Sequence, residues 1–403
     1  IGINLVTTKV VAVLIGPGGV ALVGQFTNLI TILTTTSTGG ITNGTVRYVS
    51  EHKGNNESYN AYISASFSIT LFFSFLSTIV LLLFAKSICL LLFSDLTYLS
   101  VIYVTAFTLF LYSFNSLLLS IINGKKLYNK YIFINLISSF TGFIFTLILV
   151  YFFRVYGALL ALATYQSVVI LITIRVIRRY HLFSIKDIRI SFSKKSWIAL
   201  FAYSLMAITG LIWPLINIVI RSALITEVSV DTAGVWEGMT RVSGFVLAIM
   251  GTAITTYFLP RFSEISDKTE LQKEVLTGMK LVLTATFVIT LLLYIFKSTI
   301  IQILFTDSFA AMKDIFLLQL SGDFFWVAKM ILTVILVAKA MTKHYIILEV
   351  VFGLFYLILS VVFISVGLEL KSVPLAHLIY NFLYFAVMIF VYRKMILKNK
   401  LFT

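Results

Sequence analysis

The sequence that decides the fold occurs twice along the chain. Residues 81–95 read LLLFAKSICLLLFSD, and residues 291–307 read LLLYIFKSTIIQILFTD. Each is an apolar run that is interrupted by a Lys-Ser pair and ends on Phe, a hydroxyl residue and Asp. Lys86 and Lys297 lie about 211 positions apart, and the polar markers follow in the same order in both copies. This shared order indicates an internal duplication rather than a chance similarity of apolar strings.

Further matches at nearly the same offset extend the duplication to both halves of the chain. Each half then holds six helices, and an even number gives both halves the same orientation in a membrane. We therefore expect a parallel repeat about a pseudo-two-fold axis along the membrane normal, with a cleft suited to alternating access. The matches pair Gly18-Gly19-Val20 with Ala233-Gly234-Val235, Arg47-Tyr48-Val49-Ser50-Glu51 with Arg261-Phe262-Ser263-Glu264 across one gap, and Lys130-Tyr131 with His344-Tyr345.

Composition places the chain in a membrane. It has 403 residues, is 60% hydrophobic and 12% charged, and has a mean hydropathy of +1.03. Soluble domains are about 45–50% apolar and about 25% charged, so a soluble enzyme and a disordered chain are excluded. Cys89 is the single cysteine, which excludes an intrachain disulfide and a cysteine metal cluster. The four histidines show no metal-ligand spacing, and the sequence has no Walker A motif.

Twelve apolar runs are predicted to be transmembrane helices, because a backbone in lipid must pair its own polar groups. The fold class is therefore an all-α polytopic membrane protein. We expect two six-helix bundles at 1–180 and 197–403, joined by a basic cytoplasmic linker at 181–196. The opening run is shorter than the roughly 20 residues of a full span, so the first helix is expected to be truncated at its start. The spans are 1–15, 20–46, 60–84, 99–122, 131–153, 157–177, 197–221, 233–258, 276–296, 315–338, 345–366 and 373–392.

The charge of the loops alternates along the chain and predicts an orientation. If the N-terminus is cytoplasmic, 22 Lys and Arg residues fall in inside loops and six in outside loops or at outer helix ends. Basic residues collect in cytoplasmic loops, so we expect both termini to be cytoplasmic. The net charge of +15 is then a signal of topology and does not indicate a nucleic-acid partner.

Six ionisable residues fall at membrane depth, where each costs about 2.5–3.5 kcal/mol on insertion scales. Glu237 and Arg241 have the i,i+4 spacing of a helical ion pair, which is either structural or a gate that opens on binding of substrate or a proton. Asp323 shares a helix face with Gln319 and Trp326, a polar stripe expected to line a cavity and to serve in coupling or gating. The six are Lys9, Glu237, Arg241, Asp323, Lys329 and Glu349.

Cations of the two halves suggest an anionic substrate. In the repeat Lys9 aligns with Arg221, so two cations at equivalent depth would repel each other unless an anion lies between them. A diphosphate suits such a pair, and arginine can bind phosphate through two hydrogen bonds. The alternative is two separate interfacial anchors. Lys329 is either a further cavity cation or a side chain that snorkels to the cytoplasmic interface, and Glu349 is interpreted as structural.

Polar residues of the second and eighth helices form a candidate wall for sugar hydroxyls. Asn28 belongs to a run of Thr, Ser and Gly residues that either binds sugar or permits close helix packing. Trp236 either stacks on a sugar ring or anchors its helix at the interface. The glycines of Gly16-Pro17-Gly18-Gly19 and of Gly39-Gly40 are candidate hinges.

These residues carry a family resemblance. The chain resembles the Wzx-type flippases of lipid-linked oligosaccharides, which include O-antigen flippases and the lipid III flippase of enterobacterial common antigen. They belong to the multidrug/oligosaccharidyl-lipid/polysaccharide exporter superfamily. The likeness spans nearly the whole chain, although residues 100–196 match only in hydropathy and loop placement. The matching elements are Lys9, Gly16–Val20, Asn43-Gly44, Arg47-Tyr48-Val49, Ala233-Gly234-Val235-Trp236, Tyr257-Phe258-Leu259-Pro260, Phe305–Phe324 and Val337-Ala338-Lys339-Ala340.

The resemblance implies movement of an undecaprenyl-diphosphate-linked oligosaccharide from the cytoplasmic to the periplasmic leaflet of the bacterial inner membrane. It implies that the protein is not an enzyme and needs no cofactor. It also implies that transport is coupled to a proton or sodium gradient. The expected partners are membrane lipids and the polymerase and chain-length regulator of the same pathway. A cation-coupled multidrug exporter is the first alternative. It is disfavoured because its drug cations would need buried acids without matching bases. A membrane-embedded polymerase is the second, and it would be expected to have a large periplasmic or carboxylate-rich loop.

Overall fold

The computed structural model describes residues 2–52, 56–180, 193–339 and 341–397. Helices dominate this part of the chain, which contains no β-strand. Two short 3-10 helices span Asp307–Asp314 and Glu369–Lys371. The α-helices are α1 (Gly2–Ser37), α2 (Thr42–Glu51), α3 (Asn56–Leu83), α4 (Ala85–Phe93), α5 (Leu99–Gly124), α6 (Tyr128–Arg179), α7 (Lys194–Gly210), α8 (Ile212–Glu227), α9 (Val230–Glu264), α10 (Lys268–Ile295), α11 (Lys297–Leu304), α12 (Phe316–Ala338), α13 (Thr342–Ser365) and α14 (Ser372–Leu397).

The described chain holds ten helical stretches that are long and apolar enough to cross a membrane. In two of them the helical conformation is interrupted by one residue with a positive φ, Gly16 in α1 (φ 67°) and Arg154 in α6 (φ 53°). Positive φ costs glycine little, and Pro17 then supplies a preset φ for the start of the next helical segment. Counting each broken stretch as two spans gives the twelve that the sequence predicts. The all-α polytopic fold is thereby confirmed.

Contacts divide the chain into two compact units. The first comprises Ile1–Ile15 and Leu22–Ile218, and the second comprises Gly16–Ala21 and Val219–Thr403. The duplicated halves are segments of sequence, whereas these units are groups of residues in contact. By contact, α7 and the start of α8, up to Ile218, are assigned to the first unit, and the rest of α8 is assigned to the second. The domain boundaries at 1–180, 181–196 and 197–403 stay a prediction, and most of the linker lies outside the described residues.

Close approach of helices organises the first unit. A Cβ added to Gly124 of α5 would lie 2.7 Å from the carbonyl oxygen of Val46 in α2, so only glycine permits this contact. Asn115 of α5 donates to Gln166 of α6 at 2.8 Å and accepts from the Thr173 hydroxyl at 2.7 Å. These bonds satisfy a fully buried amide between two helices, where an unpaired polar group would cost about 1–3 kcal/mol.

Helix α12 is the central element of the second unit, and it packs against α9, α10 and α14. Its side chains Asp323, Lys329 and Gln319 are buried along with its apolar residues. Gly322 permits the approach of α14, because an added Cβ would lie 2.2 Å from Cδ2 of His377. The few polar side chains of a helix at the centre of a membrane unit must find partners inside the protein, and these pairings build the site described below.

Candidate functional site

An arginine–glutamate cluster lies at the contact of α8 and α9. The guanidinium of Arg221 donates to Oε2 of Glu237, and Nε of Arg241 lies 3.1 Å from Oε1 of the same carboxylate. The hydroxyl of Thr240 lies 3.3 Å from Oε2. The guanidinium carbon of Arg221 lies 5.2 Å from the centre of the Trp236 ring, which is a cation–π contact. One carboxylate therefore holds two arginines inside the second unit.

A second cluster surrounds Asp323, whose side chain has no exposed surface. Nε2 of His377 lies 3.0 Å from Oδ1 of Asp323, and the Ser243 hydroxyl donates to Oδ2 at 2.6 Å. The Gln319 amide donates to Oδ1 at 3.4 Å and to the Ser243 hydroxyl at 3.3 Å. Nδ2 of Asn381 lies 3.2 Å from Nδ1 of His377. Helices α9, α12 and α14 thus share one buried hydrogen-bond network.

A third cluster contains the buried ammonium group of Lys329. Its Nζ donates to the Tyr380 hydroxyl and lies 4.5 Å and 4.2 Å from the ring centres of Tyr380 and Tyr384. The Tyr384 hydroxyl donates to Glu349 at 3.1 Å. The acid and the base are therefore linked through tyrosines of α14 rather than by direct contact.

The ring of Tyr356 connects the second and third clusters. Its centre lies 6.1 Å from that of His377 and 5.3 Å from that of Tyr380. Three cations and three acids are thus distributed over adjoining clusters in the second unit. Such a set can rearrange its pairing when an anion or a proton arrives, because every charge already has polar neighbours.

Several predicted features of these residues are confirmed. The i,i+4 ion pair of Glu237 and Arg241 is present, and Gln319 contacts Asp323 as expected for residues on one helix face. Lys9 and Asn28 are half-buried on α1 in the first unit. Their roles, and those of the other candidate residues, stay predictions.

Three expectations differ from what the structure has. Asp323 does not line an open cavity but is completely buried between helices, whereas the apolar cavity of about 370 Å³ between α10 and α12 is lined by other residues. Trp236 is only 2% exposed and contacts Arg221, so it neither anchors an interface nor presents a free ring face. Lys329 is 3% exposed and bonded to Tyr380, so it does not snorkel. In each case a polar partner on a neighbouring helix offsets the free-energy cost of burying the side chain.

Sequence reasoning missed the polar stripe of α14. His377, Tyr380, Asn381 and Tyr384 follow the helical spacing i, i+3, i+4 and i+7. That spacing was available in the sequence as a sign of a helix face directed into the protein. Metal-ligand spacing does not reveal such a stripe, because only one of its four residues is a histidine. In the described part of the chain, no group of three or more His, Cys, Asp or Glu residues could hold a metal ion.

Polar contacts of the first unit join α1 to α8 and α2 to α7. The Gln25 side chain donates to the Ile218 carbonyl at 3.0 Å inside the unit. Nε of Arg47 lies 2.6 Å from Glu51, and its guanidinium also donates to the Tyr203 hydroxyl. Arg47 is more than half exposed, so this ion pair is worth little to stability.

Comparison with known proteins identifies the family. A model for the polysaccharide biosynthesis protein family matches residues 10–314. The chain belongs to this family. It is 29% identical to the lipid III flippases of Escherichia coli (strain K12) and of Shigella flexneri over 357 residues, which are 87% of this chain and 84% of each relative.

Solved structures support the fold. The chain superimposes on an inward-facing conformation of a multidrug resistance MATE family transporter of the MOP superfamily with a TM-score of 0.83. The match covers 99% of this chain and 94% of that chain at 17% identity. The two chains therefore share a fold.

Proposed function

We propose that this chain is a flippase that moves an undecaprenyl-diphosphate-linked oligosaccharide, of O-antigen or lipid III type, from the cytoplasmic to the periplasmic leaflet. The observation that carries the proposal is the similarity to two lipid III flippases over 87% of this chain. Such a protein moves its substrate without making or breaking covalent bonds, so it is a transporter and not an enzyme.

The charges of the site are consistent with a diphosphate substrate. Arg221 and Arg241 converge on one carboxylate, and Arg241 keeps about a fifth of its side chain exposed. A diphosphate can replace Glu237 as the partner of a guanidinium, because phosphate oxygens accept the same paired N–H donors as a carboxylate. Binding would then exchange one ion pair for another and avoid leaving a buried arginine unpaired, which costs about 3–5 kcal/mol.

A cation-coupled multidrug exporter is the second candidate, favoured by the fold of the MATE transporter. A cationic drug would need an acid that is not already paired with a base. Glu237 contacts two arginines, and Asp323 is completely buried and already accepts hydrogen bonds from neighbouring helices, so neither acid offers that arrangement. The site therefore supports the anionic substrate better.

The remaining parts of the proposal concern the setting of the protein. We place it in the bacterial inner membrane with both termini cytoplasmic, because the bias of 22 to six basic residues favours that orientation. Its partners are the lipid-linked oligosaccharide, membrane lipids, and the polymerase and chain-length regulator of the pathway. We expect no cofactor, and transport is coupled to a proton or sodium gradient.

Complementation of flippase deletions tests this function. Strains that lack their own flippase and make defined lipid-linked oligosaccharides should regain surface glycan when this chain is expressed with any residues that precede Ile1 in its gene. A membrane-localised protein that restores no glycan in any strain, but raises resistance to cationic drugs, would instead establish the exporter. An empty vector and a known flippase provide the two reference levels.

A further inference from the structure

The strongest unassigned feature is the contact of Asp323 with His377 in the interior of the second unit. The carboxylate is completely buried, and the histidine side chain is 13% exposed. Among the described residues, the other groups that contact the carboxylate are the neutral Ser243 and Gln319. Because a carboxylate can only accept, Nε2 of His377 carries a hydrogen and donates it to Oδ1. His377 is therefore the titratable neighbour of Asp323.

Asn381 gives the other ring nitrogen two possible partners. Its Nδ2 lies 3.2 Å from Nδ1 of His377 and donates to it when the imidazole is neutral. Its Oδ1 is buried and accepts no hydrogen bond from any residue that the structure describes. If Nδ1 gained a proton, a half-turn of the amide would give up the 2.9 Å hydrogen bond from Nδ2 to the His377 carbonyl and present this oxygen to the new N–H group. One asparagine can thus satisfy either protonation state, since its amide has both donors and an acceptor.

Without this pair the surrounding charged side chains leave one positive charge in excess, which the Asp323 carboxylate offsets. Glu237 contacts Arg221 and Arg241, and the tyrosines of α14 link Lys329 to Glu349. Each neighbouring element also carries other titratable or charged groups. In the described chain these are Asp231, Tyr257, Arg261 and Glu264 of α9, the charges of α10 between Lys268 and Lys280 together with Tyr294, Lys343, His344, Tyr345 and Tyr356 of α13, Tyr380, Tyr392, Arg393 and Lys394 of α14, and the exposed Asp307, Lys313, Asp314, Glu369 and Lys371 of the two 3-10 helices.

We propose that His377 and Asp323 form a proton-binding pair that takes up one proton on Nδ1 of His377. A hydronium ion supplies the proton: one of its O–H bonds breaks as the N–H bond forms, a water molecule is left, and no oxidation or reduction takes place. A neutral imidazole beside a carboxylate becomes an imidazolium–carboxylate ion pair, and the Asn381 amide turns to accept from the new donor. The reverse step returns the proton to water. Its use as the coupling site of transport rests on the proposed function, whereas proton binding itself does not.

Histidine resonances of the purified chain provide a direct test, because the sequence contains only four histidines. The full-length protein is labelled with ¹⁵N on histidine, reconstituted in lipid nanodiscs, and titrated from about pH 8 to about pH 5, the range in which histidines commonly titrate. His377→Gln assigns the signal, and His344→Gln is the matched control on an exposed histidine. We expect the Nδ1 signal of His377 to change reversibly from an acceptor to a protonated nitrogen. A His377 signal that keeps one protonation state throughout would overturn the proposal.

Two variants separate the pair from an isolated buried histidine. Asp323→Asn should move the midpoint of the His377 titration, because it removes the charged group that lies 3.0 Å from Nε2. Asn381→Leu retains the carboxylate but cannot accept from Nδ1, so it should also move the midpoint. If Asp323→Asn does not fold, Asn381→Leu and the wild-type titration still decide. Midpoints that stay unchanged in both variants contradict the pair.

Sodium distinguishes a proton site from a metal-ion site. The titration is repeated with sodium chloride replaced by potassium chloride at the same ionic strength. If the His377 signal responds to sodium at constant pH, the ion bound at this site is sodium and not a proton, and the proposal is overturned. A His377 that titrates in a chain unable to restore glycan would leave proton binding intact while the proposed function fails.

Discussion

The backbone N–H of Gly18 donates a hydrogen bond to Oδ1 of Asp231 at 2.9 Å. Asp231 lies in the first turn of α9, where a negative charge is favourable. The backbone of Pro17 also approaches Gly234 so closely that an added Cβ would lie 1.8 Å from the proline oxygen. Residues 16–21 are thus fastened to the start of α9, while the remainder of α1 is assigned by contact to the first unit.

A disulfide can test whether this attachment must open during transport. A Cβ added to Gly18 would lie 3.8 Å from Cβ of Val230, within the about 3.5–4.5 Å of a disulfide. Gly18→Cys with Val230→Cys in a Cys89→Ser background should therefore cross-link on oxidation and lose most of its support for surface glycan, and reductant should restore it. The single-cysteine variants are the controls. Full activity of the oxidised, fully cross-linked protein would mean that the segment stays attached throughout the cycle.

Gly234→Ala should detach the same segment. Its new methyl group would meet the Pro17 backbone, which has no rotamer to move aside, so the two segments must separate. Gly244→Ala in the same helix is the matched control, because a Cβ there meets nothing within 4 Å. We expect Gly234→Ala to lower the yield of the Gly18–Val230 cross-link and the thermal unfolding temperature, and Gly244→Ala to change neither. Equal yields in the two variants would contradict the contact.

Much of the fold was accessible from the sequence because lipid leaves few choices for a backbone. Apolar runs had to be helices, and the break at Gly16 lies within the predicted glycine hinge. The second interruption was harder to predict from the sequence, because Arg154 adopts a positive φ that a non-glycine residue seldom takes. Its guanidinium donates to the Leu14 carbonyl at 3.1 Å, a contact between residues distant in sequence.

The site was less predictable, because partners on different helices decide it. Glu237 and Arg241 could be paired from their spacing, whereas the contact of Arg221 with Glu237 joins two helices. The sequence left Lys329 either in a cavity or at the interface, and Tyr380 of α14 holds it inside. Hydropathy cannot report which helix faces meet, so pairings between helices lie beyond its reach.

Glu237→Gln tests the carboxylate that holds two arginines. The variant should lose about 3–5 kcal/mol of stability, because breaking a buried ion pair leaves an uncompensated charge. Adding Arg221→Met should recover much of this loss, because it removes the buried cation that Glu237→Gln leaves without its carboxylate partner. Thermal unfolding in one detergent compares the wild type, the two single variants and the double variant. Additive losses in the double variant would show that Arg221 and Glu237 are not energetically coupled.

Lys9→Ala and Arg221→Ala should each reduce surface glycan without removing the protein from the membrane. Each removes a cation predicted to attract the diphosphate, although loss of Arg221 also leaves Glu237 with Arg241 alone. Arg221→Lys keeps the charge but loses the paired N–H donors, so it should retain only part of the activity. Glycan yield is normalised to the amount of protein in the membrane. Normal yields in both alanine variants would remove these cations from substrate binding.

Lys329→Met distinguishes a structural ammonium from one that contacts substrate. Methionine nearly matches the length of the lysine stem and removes the buried charge, and the half-buried Glu349, which does not contact Lys329 directly, keeps its hydrogen bond from the Tyr384 hydroxyl. We therefore expect little change in thermal unfolding, whereas Tyr380→Phe should lower stability by about 1–3 kcal/mol because it removes an acceptor from a buried ammonium. If Lys329 binds the diphosphate, Lys329→Met will lose glycan despite its normal stability. If it only pairs with tyrosines, both stability and glycan will remain near wild type, and the substrate cations are then confined to Lys9 and the arginines.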